Sequence, residues 1–251
     1  MFATLSTTTS MTPAAGAGAA SDAHVGCGGG AGTLTITALT VACVTLSVIV
    51  LAMSLIDLPY FFRSLFSYVS GTCFKKKIRA TETAVYSSLC LTTDLDVYLS
   101  HMNNARYLRE IDLARIEFVL RTGMWHELRR HDALIFTIAS NVRYRKFVRT
   151  FSRYEIRTRI VYWDDVSLFF EHRFVSKADG FVRAIVYNRQ RVVNYSANEL
   201  MRTLVGTKTV DGAIQRPECP IEIHHWIQSN LMSSANLRAE NTAPVAGSDD
   251  P

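Results

Sequence analysis

The 251-residue sequence predicts an α+β domain, an antiparallel sheet packed on one long central helix, preceded by an N-terminal transmembrane helix. Three observations point there. Thr33 to Ile56 runs for 24 residues without a charge. Asn104 to Thr122 carries two apolar stripes at helical spacing, so much of that helix is expected to be buried. A strand-like segment precedes the helix and further strand-like segments follow it, with short turn sequences among them.

The first 32 residues are rich in Ala, Gly, Ser and Thr and lack an apolar period, which predicts a disordered leader. The apolar run 33–56 would reach about 36 Å as a helix, enough to cross a bilayer. A secretory signal has a positive start and a shorter core. Here no Lys or Arg precedes Arg63, so an uncleaved anchor is expected, with a cleaved signal and a secreted product as the alternative. All 27 Lys and Arg follow the run, and the positive-inside rule then puts the rest of the chain in the cytoplasm, with the endoplasmic reticulum as the expected membrane.

Residues 57–80 form an aromatic and basic linker. Tyr60, Phe61, Phe62, Leu65, Phe66 and Tyr68 suit an interfacial helix, and Lys75, Lys76, Lys77 and Arg79 suit anionic headgroups. The alternative is a connecting helix packed on the domain. The main domain is expected over 81–210, with a C-terminal helix and tail over 211–251. Its expected strands are Glu82–Leu91, Leu134–Phe147, Phe151–Tyr162, Ser167–Ser176 and Gly180–Val193, joined mainly by hairpins. In the central helix, Leu108, Ile111, Ala114 and Phe118 form one stripe; Leu113, Ile116 and Leu120 form the other. Arg106–Glu110 and Glu117–Arg121 stand at the i,i+4 spacing of helical ion pairs, and Gly123 is a stop signal. Ser196–Glu199 fits a capping box that opens a short helix. Another helix is expected over Glu222–Asn236.

The net charge of +5 favours anionic partners without choosing among them. The five cysteines (Cys27, Cys43, Cys73, Cys90 and Cys219) form no CxxC pair and match no zinc template, which argues against a disulfide scaffold or a metal site.

One segment gathers chemistry. Between Asp94 and Asn104 lie two carboxylates, a histidine and two asparagines, at a junction of strand and helix. Acid, amide and free helix N–H groups in one place suit the polarisation of a carbonyl. Asp94-Leu95-Asp96, His101-Met102-Asn103-Asn104-Ala105-Arg106-Tyr107-Leu108 and Asp112-Leu113-Ala114-Arg115 resemble hotdog acyl-thioesterases of the 4-hydroxybenzoyl-CoA and plant acyl-carrier-protein types. The resemblance is closer to the membrane-associated branch called thioesterase superfamily member six. That branch shares the apolar N-terminal segment, Arg157-Thr158-Arg159 with Trp163-Asp164-Asp165, Phe174-Val175-Ser176 with Asp179-Gly180-Phe181-Val182, and His225-Trp226-Ile227. The resemblance implies the hotdog fold, a sheet wrapped around one helix, from about Phe74 to Asn236. It also implies hydrolysis of an acyl thioester of coenzyme A or acyl carrier protein, in dimers or larger homo-oligomers with sites between subunits. No cofactor and no metal are expected.

On that resemblance Asp96 is the base or nucleophile, and His101, Asn103 and Asn104 complete the catalytic group by ordering water or the carboxylate. Tyr98, Tyr107 and Arg143 are the expected substrate contacts. Each has a plainer reading. Asp94, Asp96 and one asparagine suit turn and cap positions, and Tyr107 suits packing. Arg143–Arg149 suits coenzyme A phosphates, a solvated strand face or an anionic membrane. Nucleic acid is not an expected partner, since no recognised motif accompanies the basic stretch. The chain also departs from the plant pattern Asp-x-Asn-x-His: Tyr98 replaces the asparagine, and His101 lies one residue further along. A non-catalytic acyl-CoA- or lipid-binding or scaffolding protein is therefore the alternative to a membrane-anchored acyl-CoA thioesterase.

Overall fold

Five strands form one antiparallel sheet: β1 (Ala84–Leu89), β2 (Leu134–Tyr144), β3 (Arg153–Trp163), β4 (Ser167–Ser176) and β5 (Val182–Val193). Their spatial order is β1-β3-β4-β5-β2. The computed structural model describes residues 29–55, 57–206, 209–210, 213–214 and 216–242. Most of the expected leader, and the tail from 243, lie outside the described residues. The chain divides into two units, Met1–Asp57 and Leu58–Pro251.

In the first unit, helix α1 (Gly29–Leu55) starts ahead of the expected Thr33. Its hydroxyls fold back on its own carbonyls. Thr40 Oγ1 donates to Ile36 O at 2.9 Å, Thr45 Oγ1 to Val41 O at 2.7 Å and Ser47 Oγ to Cys43 O at 2.8 Å. These polar side chains thus need no outside partner, as a lipid-facing helix requires. Leu34–Met53 is long and apolar enough to cross a membrane.

In the second unit, helix α3 (Asn104–Arg121) lies across one face of the sheet. Asn103 caps it, accepting the Ala105 N–H at 2.9 Å. Both expected stripes are largely buried, through Ile111, Ala114 and Phe118 on one and Leu113 and Leu120 on the other; Leu108 stays exposed and Ile116 half-buried. Gly123 takes a left-handed φ of +78° between α3 and α4 (Met124–Arg130), a conformation that costs glycine little. β4 is buried along both faces. On the side away from α3, Phe169 meets Trp226 of α6 (Ile221–Thr242) edge to face at 6.3 Å.

Three local expectations change. The β3–β4 and β4–β5 joins are hairpins, but β2 pairs with β5 at the far edge, so residues 145–152 cross back to β3. α5 (Ala197–Val205) begins where expected, yet the Ser196 hydroxyl donates to Asp165 O at 3.2 Å instead of capping the helix. Helix α2 (Leu58–Val69) packs on α3, as the connecting-helix alternative held, while Phe61, Phe62 and Phe66 stay exposed.

The core falls into two apolar clusters. One surrounds Phe118, Phe170 and Leu168; the other surrounds Tyr107, Ile111 and Phe174. Buried polar residues Thr158, His172, Asn188 and Gln190 also point to the helix side of the sheet.

Candidate active site

The β1–α3 loop and the 145–152 crossover are zipped together by backbone bonds. Cys90 N–H donates to Ser152 O at 3.1 Å, Phe151 N–H to Cys90 O at 2.9 Å and Met102 N–H to Val148 O at 2.9 Å. This pairing fixes the loop that carries Asp94, Asp96 and His101. Asp94 is buried: its carboxylate accepts the Leu91 N–H at 2.9 Å, and its carbonyl accepts the Asn103 N–H at 2.8 Å. It therefore ties the loop to the helix cap.

Asp96 opens a tight turn. Its N–H donates to His101 O at 2.9 Å, and its Oδ1 accepts the N–H of Ser100 at 3.1 Å and of His101 at 3.4 Å. Oδ2 lies 3.6 Å from His101 Nδ1. Burial works against ionisation here, but those N–H donors and the His101 ring outweigh it and hold the carboxyl below its ordinary value. The turn carries Leu99 at φ +54°, a left-handed conformation that costs a non-glycine residue about 1 kcal/mol. Val97, Tyr98 and Leu99 at the tip are 87, 83 and 70 % exposed.

His101 sits between Ser100, whose Oγ is 2.6 Å from Nδ1, and the Phe147 ring at 4.0 Å. Phe147 leads into a cavity of about 380 Å³ whose walls include Lys146, Arg149, Arg153, Tyr154 and Arg183. Among the described residues no carboxylate lines it, although Asp179 holds Arg183 at 2.5 Å from outside. Asp96 is not among the lining residues; His101, which stands beside its carboxylate, packs on Phe147 at the cavity wall. The structure thus brings together Asp96 and His101, while the Asn103 side chain is spent on the cap of α3. Asn104 contributes its carbonyl, which accepts the Tyr144 hydroxyl at 2.9 Å. Tyr107 is buried against Tyr144 and Phe174, with ring centroids 5.1 and 4.9 Å away, and burial pushes its phenol up to about 12. Arg143 is exposed on β2, one position from Tyr144 and so on the opposite face of the strand. Cys90 is the nearby thiol, but burial, then Asp94 and Glu110, push it up to about 11, so it is no nucleophile at neutral pH.

Two groups escape the sequence reading. Glu110 does not pair with Arg106. Its Oε2 receives Arg63 Nη2 at 2.6 Å, Tyr154 OH at 2.8 Å and Ser88 Oγ at 3.0 Å. Burial works to strip Arg63 of its proton, but the Glu110 carboxylate more than compensates and holds the guanidinium above its ordinary value. Glu117 does meet Arg121 at 3.0 Å, and also Lys75 at 2.6 Å. A carboxylate in line with the apolar stripes of α3 was the signal for such distant partners. The second group is the buried polar set around His172. Asn188 and Gln190 lie between Val186 and Val192 at core-facing positions, a parity visible in the sequence.

A family model described as the Thioesterase-like superfamily matches residues 90–227, more than half of the chain. The chain belongs to that superfamily. Its sheet laid on one long helix is the hotdog arrangement of these thioesterase-like proteins. Protein THEM6 of Drosophila melanogaster is 37 % identical over 184 residues, covering 73 % of this chain and 92 % of that protein. Protein THEM6 of Xenopus laevis is 34 % identical over 198 residues, covering 79 % and 93 %. Among solved structures, YbaW, a probable thioesterase from Escherichia coli, aligns over 49 % of this chain and 98 % of its own, with 18 % identity and a TM-score of 0.45.

Proposed function

We propose that this superfamily member hydrolyses fatty-acyl-CoA, held at a membrane by α1 with its hotdog domain on the cytoplasmic side, at the endoplasmic reticulum. One observation carries the catalytic part: an ionised carboxylate is joined through His101 to Phe147 on the wall of a cation-lined cavity. Lys146, Arg149, Arg153 and Arg183 suit the phosphates of coenzyme A. Asp96 then faces the thioester either as nucleophile or as base. As nucleophile, it attacks the acyl carbon and expels the thiolate; water cleaves the resulting anhydride, releasing fatty acid and restoring the carboxylate. Asn103 and the first turn of α3 supply dipoles toward the developing oxyanion.

A homodimer completes the reading. β2 is an edge strand with Leu134, Phe136 and Ile138 exposed, and an apolar open edge favours pairing with a second copy.

The test is turnover of an acyl-CoA panel by the full chain in detergent. Asp96→Asn is expected to lower kcat/KM roughly a hundredfold while leaving the melting temperature nearly unchanged. Undiminished hydrolysis by Asp96→Asn would remove Asp96 from the reaction. A second reading, acyl-CoA binding without turnover, is favoured by the Asp96 oxygens being engaged by their own loop and by Tyr98 standing exposed at the tip. Saturable binding with no free thiol produced would select it. Glycosylation reporters at the two ends test the topology, and a modified C-terminal reporter would reverse the orientation.

A further inference from the structure

We infer that the groove between α2 and α3 holds a single fatty-acyl chain with its polar head at Arg115. The chain chemistry rests on the acyl reading above; the location does not. The groove encloses about 370 Å³, the scale of a small-ligand site. Leu65 and Tyr68 of α2, Ile116 and Val119 of α3, and Trp125 of α4 give it apolar walls. Phe61, Leu65 and Tyr68 follow one another at i, i+4 and i+7, so one face of α2 lines about 10 Å of the slot.

This wall is fixed in place. Arg63 of α2 is bonded to the buried Glu110 of α3. The π-helical turn Ser70–Phe74 then approaches α3 so closely that a Cβ on Gly71 would sit 3.4 Å from Leu120 Cβ. α2 precedes residues 90–227, the part that matches the family model, so the wall is added to the shared domain.

At one end the slot turns polar. Arg115 holds Asp112 at 2.8 Å and Thr137 Oγ1 at 2.7 Å, and Thr137 Oγ1 also accepts Gln190 Nε2 at 2.9 Å. Behind this link the buried Gln190 Oε1, Asn188 Oδ1 and His172 Nε2 have no hydrogen-bond partner among the described residues. An apolar slot ended by a guanidinium matches an amphiphile with one tail and an accepting head. A fatty-acid carboxylate is such a head.

Trp125 reports on the slot directly. The full chain in nanodiscs of ordinary phospholipid is titrated with a fatty acid brominated near its chain end, which quenches tryptophan at short range. Saturable quenching is expected, lost in Trp125→Phe and weakened roughly tenfold by Arg115→Gln and by Ile116→Phe, which fills the slot. One variant removes a charge and the other adds bulk, so misfolding of one leaves the other informative. Quenching that ignores both variants would overturn the site, as would no quenching at all. A second arm uses nanodiscs of brominated phospholipid. Quenching of Trp125 there, unrelieved by unbrominated fatty acid, would make the groove a bilayer contact and overturn the inference. Saturable fatty-acid binding without acyl-CoA hydrolysis would keep the groove and sink the catalytic reading. Hydrolysis by the parent chain without saturable quenching would do the reverse.

Discussion

Glu110→Ala is expected to lower the unfolding free energy by about 3–5 kcal/mol, the scale seen when one partner of a buried ion pair is removed. The Glu110 side chain is 2 % exposed and takes three donors on one oxygen: Arg63, Tyr154 and Ser88. Its loss leaves the Tyr154 hydroxyl buried without its acceptor. Arg63 keeps only Asp94 as a carboxylate neighbour, at 3.8 Å. The damage is directional, because Arg63 is the tie between α2 and the domain. Hydrogen exchange is expected to show α2 losing protection first, before the β3–β4–β5 ladder. Replacing both partners by apolar residues of similar size, Arg63→Met with Glu110→Leu, is expected to recover much of the loss, since no buried charge is then left alone. Chemical denaturation decides it: an alanine variant within about 1 kcal/mol of the parent would mean that the network stabilises little.

That network marks where the sequence stops being readable. The central helix, its Asn103 cap and the strands were legible because they rest on local signals, namely apolar periodicity, cap residues and glycine. β4 was legible to the residue, since turn sequences bound it on both sides. Arg106 and Glu110 satisfied a local rule as well, yet a partner 47 positions away supplies the bond. The i,i+4 rule is worth only a few tenths of a kcal/mol on a solvated face, and a desolvated carboxylate has far more to gain from a fully aligned guanidinium. The crossover from β2 to β3 was hidden for a similar reason. Strand spacing reports that a segment is extended, not which neighbour it pairs with.

The candidate site was legible in composition and less so in arrangement. Asp94 and Asp96 look equivalent in sequence, but Asp94 ties the loop to the helix cap while Asp96 lies in the turn with His101. The cations that line the neighbouring cavity come from the crossover, β3 and β5, and only three-dimensional pairing gathers them. Arg143, in the same basic stretch as Lys146 and Arg149, ends on another face because strand parity separates it from Tyr144.

Acid is expected to destabilise the domain well above the range in which carboxylates titrate, and His172 is the cause. Its side chain is fully buried, with Nδ1 on Thr158 Oγ1 at 2.9 Å and Nε2 unpartnered. Burial, and then the nearby Arg115 cation, push the imidazole down from its ordinary 6.5 to about 3. The sign follows from proton counting. Between those two values the unfolded chain binds a proton that the folded chain refuses, so stability rises with pH and is lost as pH falls below 6.5. The slope approaches about 1.4 kcal/mol per pH unit, so about 3 kcal/mol is lost by pH 4. Asp112, whose carboxyl burial holds above its ordinary value, acts with the opposite sign, and an Asp112→Asn background removes it. In that background the unfolding free energy, measured by urea denaturation at successive pH values, is expected to fall steadily from pH 7 to pH 5. His172→Leu is expected to flatten that fall whatever it does to absolute stability, because leucine has no proton to refuse. An unchanged slope in His172→Leu would place the acid sensitivity elsewhere and show that the polar row beside α3 admits a charged imidazole.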